Sequence, residues 1–372
     1  MKIGVLTVPF NNNYGGYLQA FALISILKSM GHDVVLINRR HPNFPLSWRV
    51  KHFVRNFVKV CLFRKVECVI LSRDRIIRKK GRRMLGFVCR HIPRTKPIYS
   101  SKQLEKVSKK AFDVVVFGSD QLWRPDYVPN IADYYGSFLK DVDVRRISYA
   151  ASFGNAFPVY TEEERHLCGM EISKFHAISL REKSGIDVIK NMEWNTVKPT
   201  VVLDPTMLMD AAFYNSKISA AKSPSANKIF CYVLDQSPDV QKIVKKLSSA
   251  LNLSEYHIID SAKWQRMDYI MPSIEDWLSG IRDAEFVLTD SFHGTVFSIL
   301  FKKPFIVCVN ENRGAERFYT LLEHFNLTNR IACNEDDALK LLQESIDWKD
   351  VDEKMDVLRK RSMEFLIAAL EK

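Results

Sequence analysis

Ten short apolar runs recur along this chain, and helical periods fill the gaps between them. The runs are Ile3–Val8, Asp33–Asn38, Phe112–Phe117, Ile147–Ser152, His176–Leu180, Val201–Asp204, Ile229–Leu234, Tyr256–Ile259, Phe286–Thr289 and Phe305–Val309. Most are continuously apolar rather than alternating, which is the pattern of a strand covered on both faces by helices in a parallel sheet. The helical periods agree. Leu18, Phe21, Ala22, Ile26, Leu27 and Met30 line one side of a helix that Gly31 is placed to end. Thr161 with Glu164 three residues later forms a capping box. A length of 372 residues suits two such α/β domains. The least structured composition, KISAAKSPSANK at 217–228, falls between the sixth and seventh runs. The expected organisation is therefore an N-terminal Rossmann-like domain over 1–210 and a second over 225–347. A helix from 350 to 372 is placed to pack back on the first domain.

Charge is unevenly spread. Of 55 Lys and Arg and 43 Asp and Glu, residues 49–96 hold 16 basic and 2 acidic, leaving 39 and 41 elsewhere. The chain is a near-neutral protein carrying one basic segment. Within it Val50, Phe53, Val54, Phe57, Val58, Cys61 and Leu62 share one helical face, with Lys51, Arg55 and Lys59 in a row on the other side. An amphipathic basic helix of this kind either lies on an anionic lipid surface or packs its stripe on the first domain. No nucleic-acid-binding module accompanies the charge. Seven cysteines, without a C-x-x-C pair, read as thiols of a reducing cytoplasm. The apolar start is cut short by Asn11-Asn12-Asn13 and does not read as a signal peptide, and no run has the roughly 18 residues of a membrane span.

In open parallel sheets ligands bind beyond the carboxyl ends of the strands. Those loops here carry Asn13, Gly15 and Gly16; Gly118, Ser119 and Asp120; Arg181; Asp290, Ser291 and His293; and Arg313 with Arg317. Gly15-Gly16 ahead of a helix is able to offer main-chain N–H groups to an anion, although no dinucleotide or P-loop motif is present. Ser291 is placed to cap a helix with His293 in its first turn, where an imidazole is able to donate to phosphate or exchange a proton. The alternative is a buried histidine satisfied by Asp290. Three arginines at strand ends suit a small, doubly anionic substrate, and Asp120 and Asp290 are placed to orient a base or hold sugar hydroxyls. No residue cluster has metal-ligand spacing.

Five motifs in order, Asn13-Tyr14-Gly15-Gly16-Tyr17-Leu18-Gln19-Ala20, Gly118-Ser119-Asp120-Gln121-Leu122-Trp123, Ser179-Leu180-Arg181-Glu182-Lys183-Ser184-Gly185, Leu203-Asp204-Pro205-Thr206 and Thr289-Asp290-Ser291-Phe292-His293-Gly294-Thr295, resemble the polysaccharide pyruvyl transferase family. The resemblance covers Lys2 to about Arg330. It implies two Rossmann-like domains facing across a cleft, similar to GT-B glycosyltransferases. It implies transfer of the pyruvyl group of phosphoenolpyruvate, as co-substrate and with no separate cofactor, onto a glycan or its lipid-diphosphate-linked precursor as a ketal. It places His293 and Arg181 at the donor, Gly118, Ser119 and Asp120 in the cleft, and Arg313 and Arg317 near them. A cytoplasmic enzyme at the inner membrane face follows, with residues 49–96 as its contact to anionic lipid. A nucleotide-sugar glycosyltransferase of the same architecture and a non-catalytic glycan-binding protein are the rival readings.

Overall fold

The computed structural model describes residues 1–371 except 43–45, 62–72, 109–111, 141, 236, 261–262, 264–265, 267 and 310–313. Strands β1 (Lys2–Leu6), β2 (Asp33–Leu36), β3 (Val114–Asp120), β4 (Arg145–Ala151), β5 (Ala177–Leu180) and β6 (Thr200–Val201) build a six-stranded sheet in the order β2-β1-β3-β4-β5-β6. Strands β7 (Ile229–Tyr232), β8 (Glu255–His257), β9 (Phe286–Thr289) and β10 (Phe305–Val307) build a four-stranded sheet in the order β10-β9-β7-β8. Every pairing is parallel. Both orders reverse direction after the first strand, so each sheet has a topological switch point where the loops diverge. Each of the ten apolar runs overlaps a strand, the sixth by Val201 alone. The differences lie at the ends: β3 extends through Gly118 and Ser119 to Asp120, because these polar residues keep pairing with β4.

The helix Tyr14–Ser29 is buried almost all round, since it stands between the two sheets. Its first residue joins the domains. The Tyr14 ring stacks on Trp277 at 5.5 Å and meets Tyr232 edge-on at 5.7 Å, while its hydroxyl donates to Pro272 O at 3.0 Å. One hydrophobic cluster runs from Ile3 and Val5 through Tyr14 and Leu18 to Trp277, Phe297 and Leu366, so both domains share a continuous core. Such an interface holds the two halves in one arrangement.

The stretch at 217–228 is more tightly held than its composition suggests. Ser223 N donates to Asp283 at 2.7 Å, Ser225 Oγ to Gly280 O at 2.7 Å, and Arg282 Nη1 to Ser219 O at 2.8 Å. Small polar residues that read as flexible are here the partners of the helix Ile274–Asp283. The long final helix, Trp348–Glu371, returns to the first domain. Leu203 N donates to Ser362 Oγ at 3.0 Å, and Arg359 donates to the carbonyls of Met207 at 2.6 Å and Met209 at 3.0 Å.

Arg359 therefore ties the last helix to the segment that leaves the first domain. Replacing it with Ala leaves two carbonyls without their charged donor and should cost about 1–3 kcal/mol, read as a lowered midpoint in thermal or urea unfolding. An unchanged midpoint would show that the helix docks through its apolar face alone.

Candidate active site

Loops from both sheets enclose a cavity of about 520 Å³. Its lining includes Asn13 and Gly16 after β1, Asp120 at the end of β3 and Gln121 after it, Asp290 to His293 after β9, and Arg317. Of the residues singled out in the sequence, Asn13, Gly16, Asp120, Asp290, Ser291, His293 and Arg317 share this one space. Gly15, Gly118, Ser119 and Arg181 stand directly behind it. Arg313 lies outside the described residues.

Two helix N-termini meet at the cavity. Asn13 caps the helix Tyr14–Ser29 by accepting from Gly16 N at 3.3 Å, and Ser291 caps the helix Phe292–Leu300 by accepting from Gly294 N at 3.4 Å. Both capping residues line the cavity, so both positive helix ends bear on it. The two first turns touch through Gly15 and His293. A Cβ built on Gly15 would lie 1.9 Å from His293 Nδ1. Only a glycine lets the imidazole of one domain rest on the backbone of the other.

His293 is 5% exposed, and its Nε2 is buried and makes no hydrogen bond within the chain. The carboxylate facing that nitrogen is Asp204 of the first domain, with Oδ2 at 3.7 Å. Asp204 is fully enclosed. Its oxygens accept from Ser119 Oγ at 3.1 Å, Arg181 Nη1 at 3.0 Å, Thr206 N at 3.0 Å and Thr206 Oγ1 at 2.7 Å. Burial pushes its carboxyl up, but His293, Arg181 and the Thr206 donor together outweigh that and hold it well below the usual carboxylate range. Asp290 is differently employed: its two oxygens accept from Leu234 N and Asp235 N, both at 2.8 Å, fastening the loop after β7 to the start of the histidine helix.

Arg181 has no share in the lining. Its Nη1 goes to Asp204 and its Nη2 to Asp120 Oδ1 at 3.2 Å, with the guanidinium 4.5 Å from the Phe292 ring. It is paired with two buried carboxylates and so sets their positions. Asp120 also accepts from Gln121 N at 2.9 Å. Burial raises its carboxyl, whereas Arg181, His293 and Arg317 lower it by more, so it is ionised near neutral pH. Its backbone sits at φ +81°, sparsely populated for a residue with a side chain, and follows Gly118 at +145°. This strained end of β3 is braced from below. Thr7 Oγ1 donates to Ser119 O at 2.7 Å, Ser119 N donates to Gln19 Oε1 at 3.0 Å, and Gln19 Nε2 donates to Thr7 Oγ1 at 2.8 Å.

Arg317 lines the cavity with its guanidinium 5.5 Å from the Phe292 ring and Nε donating to Gly314 O at 3.2 Å. Burial first, then the neighbouring charge of Arg181, push its pKa down to about 10. Asp120 Oδ1, at 4.0 Å from Nη1, offsets this only in part. A buried cation destabilised in this way gains most from an anion placed beside it. Among the described residues, no group of three or more His, Cys, Asp or Glu is placed to hold a metal ion.

Asp204 and Gln19 lie within two of the quoted motifs but were not among the residues given a site role from the sequence. Asp204 carried the same signal as Asp120, a carboxylate at the carboxyl end of a strand. Gln19 stood in the first motif, but the role of a glutamine in an apolar helix becomes readable only when its partners from β1 and β3 are known.

Two Rossmann-like parallel-sheet domains with the site in the cleft define a GT-B-like protein. The chain belongs to the polysaccharide pyruvyl transferase family, whose profile spans residues 13–312. The solved structures it is similar to are GT-B glycosyltransferases and epimerases. A UDP-GlcNAc 2-epimerase from Neisseria meningitidis bound to UDP-GlcNAc is 10% identical, over 99% of this chain and 100% of that one, with a TM-score of 0.52. A putative UDP-N-acetylglucosamine 2-epimerase from Listeria monocytogenes is 10% identical, over 97% and 91%, at 0.51. A spinosyn rhamnosyltransferase is 10% identical over the whole of both chains, at 0.47. At such identities the likeness is one of fold. No protein of curated function matches the sequence.

The folded pKa of Asp204 lies below its unfolded value, so its ionised form stabilises the fold above about pH 4 and that stability drains away as pH falls toward the folded value. Asp204→Asn should therefore lower stability at pH 7 by about 3–5 kcal/mol, by leaving Arg181 half-paired, and flatten the acid limb of a stability–pH curve. An acid limb matching the unsubstituted protein would mean that other carboxylates control it.

Proposed function

We propose that this protein transfers the pyruvyl group of phosphoenolpyruvate onto two hydroxyls of a cell-surface glycan or its lipid-linked precursor, forming a cyclic ketal and releasing phosphate. The observation that carries the reading, for a member of this transferase family, is the placing of His293. Its imidazole shares the cavity with Arg317 and has an ionised carboxylate, Asp204, behind Nε2.

The chemistry asks for this combination. Protonation of the methylene carbon C3 leaves an oxocarbenium-like centre at C2. One hydroxyl oxygen adds there and loses its proton, and the second displaces the phosphate, whose leaving oxygen takes up the remaining proton. The two hydroxyl protons thus end on the methyl group and on phosphate. A group that moves protons near neutral pH and cations that hold a trianionic donor are required. His293 supplies the first, with the Asp204 carboxylate facing its Nε2 at 3.7 Å. Arg317 and the two helix N-termini supply the second. Asp120 is kept ionised by Arg181 and is suited to accept hydrogen bonds from the acceptor hydroxyls.

The test is incubation of the protein with phosphoenolpyruvate and a panel of glycans and lipid-linked glycans, followed for phosphate release and for the mass gain of a pyruvyl ketal. His293→Ala should lower kcat by about 10²–10⁴-fold, and Arg317→Ala should act mainly through the KM for phosphoenolpyruvate. Near-normal turnover by the histidine variant would remove it from the reaction. Turnover of a sugar nucleotide in place of phosphoenolpyruvate would overturn the donor assignment.

A further inference from the structure

We infer that the helix Leu46–Cys61 docks this protein on an anionic phospholipid surface. The helix carries Val50, Phe53, Val54, Phe57 and Val58 at i, i+3, i+4, i+7 and i+8, one continuous apolar stripe, and all five are 40–55% exposed. Every residue of this helix whose exposure is described is exposed, including Trp48, Lys51 and Arg55. The reading in which this stripe packs on the first domain therefore does not hold for Val50–Val58. It does hold further on, where Met84, Phe87 and Val88 of the helix Arg82–His91 are buried.

Charge decides what covers the stripe. Residues 49–96 carry a surplus of 14 positive charges, 16 basic against 2 acidic, whereas the rest of the chain is nearly neutral. A second copy of the same helix would bring like charge against like, which opposes self-pairing. An anionic bilayer offers an apolar layer for the stripe and negative headgroups for the basic side, and it is the occupant that satisfies both at once.

Position gives the docking a purpose. The next helix, Arg73–Lys80, lies at the cavity rim, because Asn12, flanked by the cavity-lining Asn11 and Asn13, donates from Nδ2 to Ile77 O at 3.0 Å. Its far end reaches the second domain, where Met271 N donates to Lys80 O at 2.9 Å. Arg75, Arg78, Lys79, Arg82 and Arg83 are exposed along this stretch. These exposed cations stand beside the cavity mouth, and their attraction to the same anionic surface would bring that mouth toward a lipid-borne acceptor. The link to an acceptor rests on the pyruvyl-transfer reading; the docking does not.

The full chain should co-sediment with vesicles of phosphatidylcholine mixed with phosphatidylglycerol, not with phosphatidylcholine alone, and less so as salt rises. The double variants F53S/F57S and K51A/R55A should each weaken binding at least tenfold, with unchanged circular dichroism and unchanged turnover of a soluble acceptor. A parent protein that stays in the supernatant with the anionic vesicles at low salt overturns the inference. So does an F53S/F57S variant that binds like the parent, or one that only lowers the particle mass in light scattering, which would make the stripe a self-association surface. Vesicle binding without phosphoenolpyruvate turnover would sink the proposed reaction and leave the docking intact.

Discussion

The imidazole of His293 rests on the α-carbon of Gly15, and through that contact two separately folded sheets become one site. Neither residue has a functional environment in its own domain. Gly15 opens a helix of the first domain and His293 opens a helix of the second, and their contact puts two positive helix ends against one cavity. The contact is sustained by its surroundings. Tyr14, one residue earlier, is locked among Trp277 and Tyr232, and Asp290 pins the loop before the histidine helix. The apolar interface fixes how far apart the domains stand, and glycine sets that separation at backbone-to-ring contact.

Charge in the cavity is arranged in two layers. The inner layer is Asp120 and Asp204 with Arg181 between them, two negative charges against one positive, all buried and mutually hydrogen bonded. The outer layer is Arg317 and His293, which face the ligand space. Burial and the charge of Arg181 press against the cationic form of Arg317, and Asp120 offsets this in part. An anion placed beside Arg317 relieves that pressure. A neutral sugar would leave it in place.

Much of this was legible in the sequence because the parallel-sheet rule converts strand ends into site positions. Asp120, Asp290, Ser291, His293 and Arg317 follow runs of Val, Ile, Leu and Phe whose burial the composition makes plain, and seven of the twelve candidates line a single cavity. The remainder depended on tertiary geometry. Arg181 sits at a strand end like the others, yet which way its guanidinium turns was settled by Asp204, a partner 23 residues away. Gln19 and Thr7 brace the end of β3 across separations of 100 and 112 residues, which no local pattern reports. The stretch at 217–228 misled in the opposite sense, since serines that favour turns also cap and staple when a neighbouring helix offers Gly280 O and Asp283.

The charge surplus and the charge of the site are physically separate. Among the described residues none within 49–96 lines the cavity; its cations come from Arg317, with Arg181 behind, and both belong to the near-neutral remainder of the chain. A small anion held in the cavity would therefore meet none of the described basic side chains of that segment. Sixteen basic side chains on a stretch that opens with a water-exposed stripe of Phe and Val oppose folding by mutual repulsion and by exposing apolar area. A surface that is apolar beneath and negative above, as inferred for the helix Leu46–Cys61, would offset both costs. Asn12 fastens the helix Arg73–Lys80 of this segment to the cavity rim through Ile77 O, so its exposed cations lie beside the cavity although none of them lines it.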